Sequence, residues 1–368
     1  MKSSVMTNEQ KLLVLLSRVT FAPKDLEEIH QLINININYY ELAKMALYHK
    51  TFTLVFENLI RFSDRINIPQ YLYDVHSVYK KNLIKQGKSY IEEVERILEY
   101  FSKCGIDLIV VKGGMFVKDI YKNNGTRYLS DVDFLIKKSD VEKVEELMSD
   151  MGYRFGKIDK KTNEIRSPSR EELILWKIKM NNIFPFIKEN LVGSPEFFNV
   201  DFRFGISNGL NEVFIDDIFQ LKYTNATKYY YMLLMHLCAH FYIESKQTVN
   251  IYSNTDFNLI KLCDIREFIF KYFENFSFED LYNLSKEYGA KNEVLYTIYY
   301  LHLIYEDDVF SKINIFWTSD NERDLFTFGD SIDNANEKFK KSIYQRLFGC
   351  NNADELSKTP SIYTINDK

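Results

Sequence analysis

Residues 108–136 read LIVVKGGMFVKDIYKNNGTRYLSDVDFLI, and this stretch decides the fold. An unbroken apolar run from Ile106 to Val111 is the pattern of a buried strand. Lys112, Gly113 and Gly114 read as a turn, and Met115–Tyr121 as a short helix. Asn123, Asn124 and Gly125 make a second turn. Ser130–Lys138 is a second strand, with Asp131 and Asp133 two residues apart. Ser139 and Asp140 then cap a helix over Val141–Met151, which Gly152 stops. Strand–helix–strand–helix is the order of an α/β core.

Outward from this core the periodicity is helical. Residues 1–101 repeat apolar side chains at three and four, with Tyr39–Phe62 as one run and Gln70–Phe101 opened by Pro69. Val94, Ile97, Leu98 and Phe101 share one stripe, and Glu92, Glu93, Glu95 and Glu99 are predicted to form a solvated face. Cys104-Gly105 ends that helix. After the core, Lys157–Ser169 is a loop or hairpin, and Glu171–Lys179 is either a helix or a strand. Ile183–Lys188 and Phe197–Phe204 read as strands paired antiparallel across Gly193-Ser194-Pro195. From Ala226 the chain is helical again, and Phe339–Phe348 is a last amphipathic helix before an unstructured tail. The expected organisation is a helical region over 1–101, an α/β core over 102–222, a helical domain over 223–310, and an extension over 311–368. The fold class is α+β.

The 368 residues are 46% hydrophobic, enough for a large core. The net charge of −5 argues against a uniformly basic nucleic-acid binder, so no DNA partner is expected. None of Cys104, Cys238, Cys263 and Cys350 forms a CxxC pair, so buried free thiols are expected rather than zinc. The apolar run near the N-terminus is too short for a signal segment. No stretch reaches the roughly 18 apolar residues that span a bilayer. A cytoplasmic protein without a membrane partner is the expectation.

The chemistry concentrates on the second strand. Residues two apart on a strand share a face about 7 Å apart. Asp131 and Asp133 are therefore paired on one face, while Val132, Phe134 and Ile136 turn to the other. Two neighbouring carboxylates repel, and a hard divalent cation such as Mg²⁺ relieves the conflict while keeping positions for substrate phosphates. Glycines 113 and 114, at a helix start, let backbone N–H groups meet phosphate oxygens. Lys112 and Arg127 supply cations. A third carboxylate is sought in Asn199–Phe204, where Asp201 and Arg203 alternate with Val200, Phe202 and Phe204. By spacing alone Asp201 is equally a ligand or the partner of Arg203, and Asp216 and Asp217 compete for the role. His236 and His240 share a helix face, but no Glu lies between them in the HExxH manner, so packing is preferred over a zinc site.

Residues 111–136 resemble the catalytic segment of the DNA polymerase β-like nucleotidyltransferase superfamily: a Gly-Gly turn on a helix, then Asp-hydrophobic-Asp on the next strand. More narrowly, Lys112, Gly113, Tyr121, Arg127, Ser130, Asp131 and Asp133 are similar to the pattern of a bacterial nucleotidyltransferase family. The Lys-Gly-Gly turn and the Arg-x-x-x-Asp-hydrophobic-Asp run are also similar to those of abortive-infection nucleotidyltransferase toxins. The narrower resemblance continues through Val200–Phe204, His236, His240 and Asp264, roughly residues 40–270, with Arg203 where that family has His. It implies a small mixed sheet with flanking helices, between an N-terminal helical region and a C-terminal helical bundle. It also implies transfer of an NMP from an NTP such as ATP to an acceptor hydroxyl, with pyrophosphate released. Asp131, Asp133 and Asp201 would hold two Mg²⁺ ions, or Mn²⁺ in their place. Lys112, Gly113, Gly114, Arg127 and Ser130 would bind the nucleotide. The acceptor classes are a tRNA end, a protein or peptide, and a small molecule. The competing expectation is a binding module with a degenerate site.

Overall fold

A computed structural model describes residues 6–62, 64, 67–159, 162–191, 193–206, 210–246, 258–318 and 343–348. In chain order the elements begin with α1 (Asn8–Leu16), α2 (Pro23–Ile33), α3 (Tyr39–Tyr48), α4 (Phe52–Ile60) and the long α5 (Gln70–Lys103). The core follows with β1 (Ile109–Val111), α6 (Lys112–Asp119), β2 (Val132–Leu135), α7 (Val141–Asp150), β3 (Arg154–Phe155), β4 (Lys157–Ile158), β5 (Ile165–Arg166), α8 (Arg170–Lys179), β6 (Phe186–Glu189) and β7 (Phe197–Arg203). Helices α9 (Glu212–Thr224), α10 (Ala226–Lys246), α11 (Leu259–Tyr272), α12 (Phe278–Glu287), α13 (Lys291–Tyr305), α14 (Ile313–Phe316) and α15 (Ile343–Phe348) complete it. The fold is α+β, as expected, with a small mixed sheet flanked by helices. The predicted last helix is described only over α15; the tail and Cys350 lie outside the described residues.

The chain forms two compact units, Ser77–His236 and a second built from the segments before and after it. Within Ser77–His236 the main sheet has the order β1-β2-β7-β6-β3. The β1–β2, β7–β6 and β6–β3 pairs are antiparallel, as expected for β6–β7. The central pair, β2 and β7, is parallel, with Val132 beside Val200, Asp133 beside Asp201 and Phe134 beside Phe202. One face of this pair is core. Phe202 stacks on Phe134 and Phe101 at ring separations of 5.2 and 6.0 Å. Val94, Ile97 and Phe101 of α5 and Val144, Leu147 and Met148 of α7 close over them. The apolar stripe read from the sequence is therefore the side of α5 that covers the sheet.

Several boundaries move. Tyr39–Phe62 is two helices, because the chain breaks at Lys50, which takes a left-handed φ of 57°. Within Lys157–Ser169, β4 pairs antiparallel with β5, and Glu171–Lys179 belongs to helix α8, opened by a Ser169–Glu172 capping box. Asp140 precedes α7 without a side-chain cap. Cys104 is exposed and Cys238 and Cys263 are buried, and none of the three is in a disulfide. His49 is fully buried, and its Nδ1 accepts the Leu259 N–H at 3.2 Å. Glu93 is not on a solvated face. It is buried and accepts from Arg96 at 2.6 Å, Lys188 at 2.5 Å and the Tyr153 hydroxyl at 2.5 Å. It lies off the apolar stripe, yet β6 brings Lys188 over it, and three donors hold its carboxylate out of water.

In the other unit, Arg266 and Arg18 share Asp307. Arg266 Nε lies 2.6 Å from Asp307 Oδ2, and Arg18 Nη1 lies 3.5 Å from Asp307 Oδ1 and 2.5 Å from Asp25. Glu267 accepts the N–H groups of Val19 and Thr20, both at 3.1 Å. These buried charges are paired, which ties the first and later helices of that unit together. No described helix is long and apolar enough to cross a membrane.

Candidate active site

The second face of the β2–β7 pair carries the acids. β7 alternates along its length, with Phe198, Val200 and Phe202 buried and Asn199, Asp201 and Arg203 half-buried. The parallel register sets Asp133 and Asp201 side by side, and Asp131 stands just ahead of β2. One carboxylate oxygen from each of Asp131, Asp133 and Asp201 lies within 4.8 Å of the others. The expected strand over Ser130–Lys138 is shorter at both ends, so Asp131 sits in the approach to the strand rather than in it. Two bonds fix that approach. The Tyr90 hydroxyl donates to the Ser130 carbonyl at 3.0 Å, and Ser130 Oγ donates to Asp131 Oδ1 at 2.7 Å. Asp216 and Asp217 belong to α9 and are not part of the cluster.

The glycines do not form a turn ahead of the helix. They lie inside its first turn, which starts at Lys112 directly after β1. A Cβ on Gly113 would stand 2.7 Å from Leu129 Cδ1, and one on Gly114 would stand 3.0 Å from Val110 Cγ1 and 3.1 Å from Val132 Cγ1. Their smallness thus lets α6 lie against β1 and β2. No side chain caps the helix start, so its first N–H groups keep their hydrogen-bonding capacity. Lys112 itself takes a left-handed φ of 54°, a conformation costing a non-glycine residue about 1 kcal/mol or more. The strained junction points its ammonium at Asp133 Oδ1, 2.6 Å away. Arg127 donates to the Tyr128 carbonyl, and its Nη2 lies 3.7 Å from where a Gly113 Cβ would be.

The charges are distributed unevenly. Burial pushes the Asp133 carboxyl up, but Lys112 and Arg203 outweigh it and hold the group below the usual range. Arg203 Nε is 3.6 Å from Asp133 Oδ1, so Asp133 is its ion-pair partner in the cluster. Asp201 bears the repulsion. Burial, then Asp133, then Asp131 raise its pKa from 3.8 to about 7, against the pull of Arg203 and Lys112. Burial lowers the proton affinity of Lys112 despite its contact with Asp133. His236 is completely buried and neither ring nitrogen has a hydrogen-bond partner among the described residues. Burial first, then Lys112 and Arg203, push its pKa down to about 3, so it is neutral. Among the described residues no third ligand joins His236 and His240, and His240 Nδ1 lies 3.2 Å from Glu244.

A divalent cation fits this set. Asp201 Oδ1 is buried without a hydrogen-bond partner among the described residues, and the three acids offer only hard oxygen donors. The like charges that raise Asp201 are what a cation would offset.

A sequence model of an uncharacterised nucleotidyltransferase family matches residues 36–306. The chain belongs to this family. No curated protein and no solved structure matches it. Membership gives nucleotidyl transfer as the general activity and an NTP as the substrate. The matched span covers both the acid cluster and the helices beyond it.

One set of contacts beside β7 of this nucleotidyltransferase has no mark in the sequence. Lys157, within the segment expected as a loop or hairpin, lies over the rings of Trp176 and Phe184, 4.8 and 5.1 Å from their centroids. Trp176 Nε1 donates to the Asn182 carbonyl at 3.1 Å, and Asn182 bridges to Arg203 on β7. Nothing in the local spacing joins these residues. They meet only because α8 folds back on the strand that follows it.

Proposed function

We propose that this nucleotidyltransferase is metal-dependent and moves an NMP from an NTP to an acceptor hydroxyl, with Asp131, Asp133 and Asp201 as the metal-holding set. The observation that carries the reading is the in-register pairing of Asp133 with Asp201 beside Asp131. When bound, Mg²⁺ or Mn²⁺ would supply charge neutralisation and Lewis acidity at the reacting phosphate. The unfilled N–H groups of the first turn of α6, at Gly113 and Gly114, would receive the phosphate oxygens. Arg127, beside that turn, would offset their charge, and Ser130 would keep Asp131 oriented. Lys112 sits on Asp133 and helps hold it charged, and from there it would meet the phosphates of the nucleotide. The acceptor oxygen attacks the α-phosphorus, the bond to the bridging oxygen breaks, and pyrophosphate leaves with its electron pair while the hydroxyl proton passes to water. The geometry favours no one of tRNA, protein or small molecule as acceptor.

The test is the Asp131→Asn, Asp133→Asn double variant, assayed by release of pyrophosphate from each NTP with Mg²⁺. Turnover is expected to fall by about 10³-fold or more, the scale of losing preorganised charge at the reacting centre. Survival of turnover in both altered positions would end the reading. Calorimetric titration with NTP separates the binding-module alternative, which predicts affinity indifferent to Mg²⁺.

A further inference from the structure

Lys157 opens β4, and its side chain is half-buried. Its ammonium lies 4.8 Å from the Trp176 ring centroid and 5.1 Å from that of Phe184. It makes no hydrogen bond or ion pair with any described residue. Glu172, the nearby acid, is committed to Arg166 through two bonds of 2.9 Å. Aromatic faces hold a cation through their quadrupoles, but they leave its N–H donors unspent. Lys157 is therefore a gripped, partly desolvated charge with three donors and no acceptor among the described residues.

Its place follows from a bulge. Asn182 is bridged to Arg203, while Phe186 pairs with Val200. Three residues, Ile183, Phe184 and Pro185, thus stand against two, Asp201 and Phe202. Such an insertion reverses the facing of the strand, and bulges of this kind re-aim side chains beside active sites. Ile183 and Phe186 both enter the core. Phe184, between them, turns to the opposite face, which is the face of Asp201. Lys157 lies over its ring. The electrostatics agree: burial lowers its proton affinity, Glu172 opposes this, and Asp201 is close enough to oppose it as well.

The sheet order then assigns a side. α6, with its unfilled N–H groups, packs on β1 and β2, at one flank of the acid cluster. Lys157, Trp176 and Phe184 lie at the β6 flank, beyond Asp201. In phosphoryl transfer the entering and leaving oxygens are roughly in line across the phosphorus. If the triphosphate lies along α6, the acceptor must approach from the β6 flank. A compact ammonium with free donors is suited to a phosphate group.

We propose that Lys157, gripped by Trp176 and Phe184, is the anion-binding point of the acceptor subsite, and that the acceptor is a hydroxyl compound carrying a phosphate. The inference rests on the nucleotidyl-transfer reading above. It is tested by titrating inorganic phosphate, and separately acetate, into the full chain loaded with Mg²⁺ and an α,β-methylene NTP. Wild type, Lys157→Gln and Trp176→Leu are compared, with thermal melting as the check on folding. Phosphate binds wild type and weakens tenfold or more in Lys157→Gln. It also weakens in Trp176→Leu, where the charge remains but its grip is lost. NTP-analogue affinity stays within twofold in both. Equal phosphate affinity in wild type and Lys157→Gln overturns the proposal, as does absence of phosphate binding to wild type. A tenfold loss of NTP-analogue affinity in Lys157→Gln assigns Lys157 to the donor and also overturns it. Acetate binding as tightly as phosphate replaces the phosphate with a carboxylate and refutes that part. Failure of wild type to bind the NTP analogue strikes the transfer reading instead, and the phosphate arm repeated without the analogue still decides the role of Lys157.

Discussion

Asp201→Asn should make the metal-free protein more stable at alkaline pH and at the same time remove its response to metal. The carboxyl's pKa rises from 3.8 to about 7 in the folded chain. Ionising it there therefore costs at most about 4 kcal/mol more than in the unfolded chain, and less to the extent that water reaches this half-buried group. The sign is that of a raised acid. Below about pH 4 both states hold the proton and no penalty exists. As pH rises toward 7 the unfolded carboxylate ionises first, so folding stability falls, and above the folded value the full penalty is in place. Asparagine keeps the shape and never ionises. In EDTA at pH 8 the variant should gain about 2–4 kcal/mol, which for a unit of this size is roughly 5–15 °C in Tm. At pH 4 the two proteins should melt together. Adding Mg²⁺ at a hundredfold excess over its dissociation constant should return about 2.7 kcal/mol to the wild type and much less to the variant. Scanning calorimetry over pH 4–8, with and without Mg²⁺, reads all of this. A variant that melts at or below wild type at pH 8 in EDTA refutes the reasoning, as does an equal Mg²⁺ response in both proteins.

Lys112→Gln removes the cation seated on Asp133, 2.6 Å away, so Mn²⁺ should bind several-fold more tightly while NTP turnover falls; weaker Mn²⁺ binding by titration would show that Lys112 does not compete with the metal. Gly113→Ala must displace Leu129, whose Cδ1 would lie 2.7 Å from the new methyl, and should cost about 1–3 kcal/mol in urea unfolding. Glu93→Gln should cost about 1–3 kcal/mol at pH 7. Burial raises the Glu93 carboxyl, but Arg96, Lys188 and Tyr153 hold it below its ordinary 4.5, so its contribution is present above that pH and lost as pH falls through the lowered value. The Gln variant should show a smaller loss of stability on acidification, measured by urea melts between pH 3 and 7.

The sequence carries its local patterns faithfully and its long-range ones poorly. Alternation over Asn199–Phe204 is enough to put Asp201 and Arg203 on one face, since a strand's side-chain period is two. That β7 runs parallel to β2, in the register that joins Asp133 to Asp201, is a property of two distant segments and has no local mark. The Gly-Gly pair is visible as a helix start, but its packing against Leu129 and Val132 is not, because the neighbours come from beyond the next turn. Arg203 could be paired on paper with Asp201, its neighbour two residues away; in the fold it turns to Asp133 across the strands. Helical periodicity alone puts Glu93 in solvent. A second layer, here Tyr153 and Lys188, can bury the polar side of a helix when it brings enough donors.

The stacked phenylalanines on the core side of β2 and β7 have a consequence for inheritance of the site. A one-residue slip of β7 would carry Phe202 out of the Phe134–Phe101 stack and drive Asp201 into it. The aromatic core is therefore a proofreader of alignment for the acids on the reverse side. Mutations that keep its volume leave the chemistry free to drift, and mutations that hollow it out should silence the acids without touching one of them.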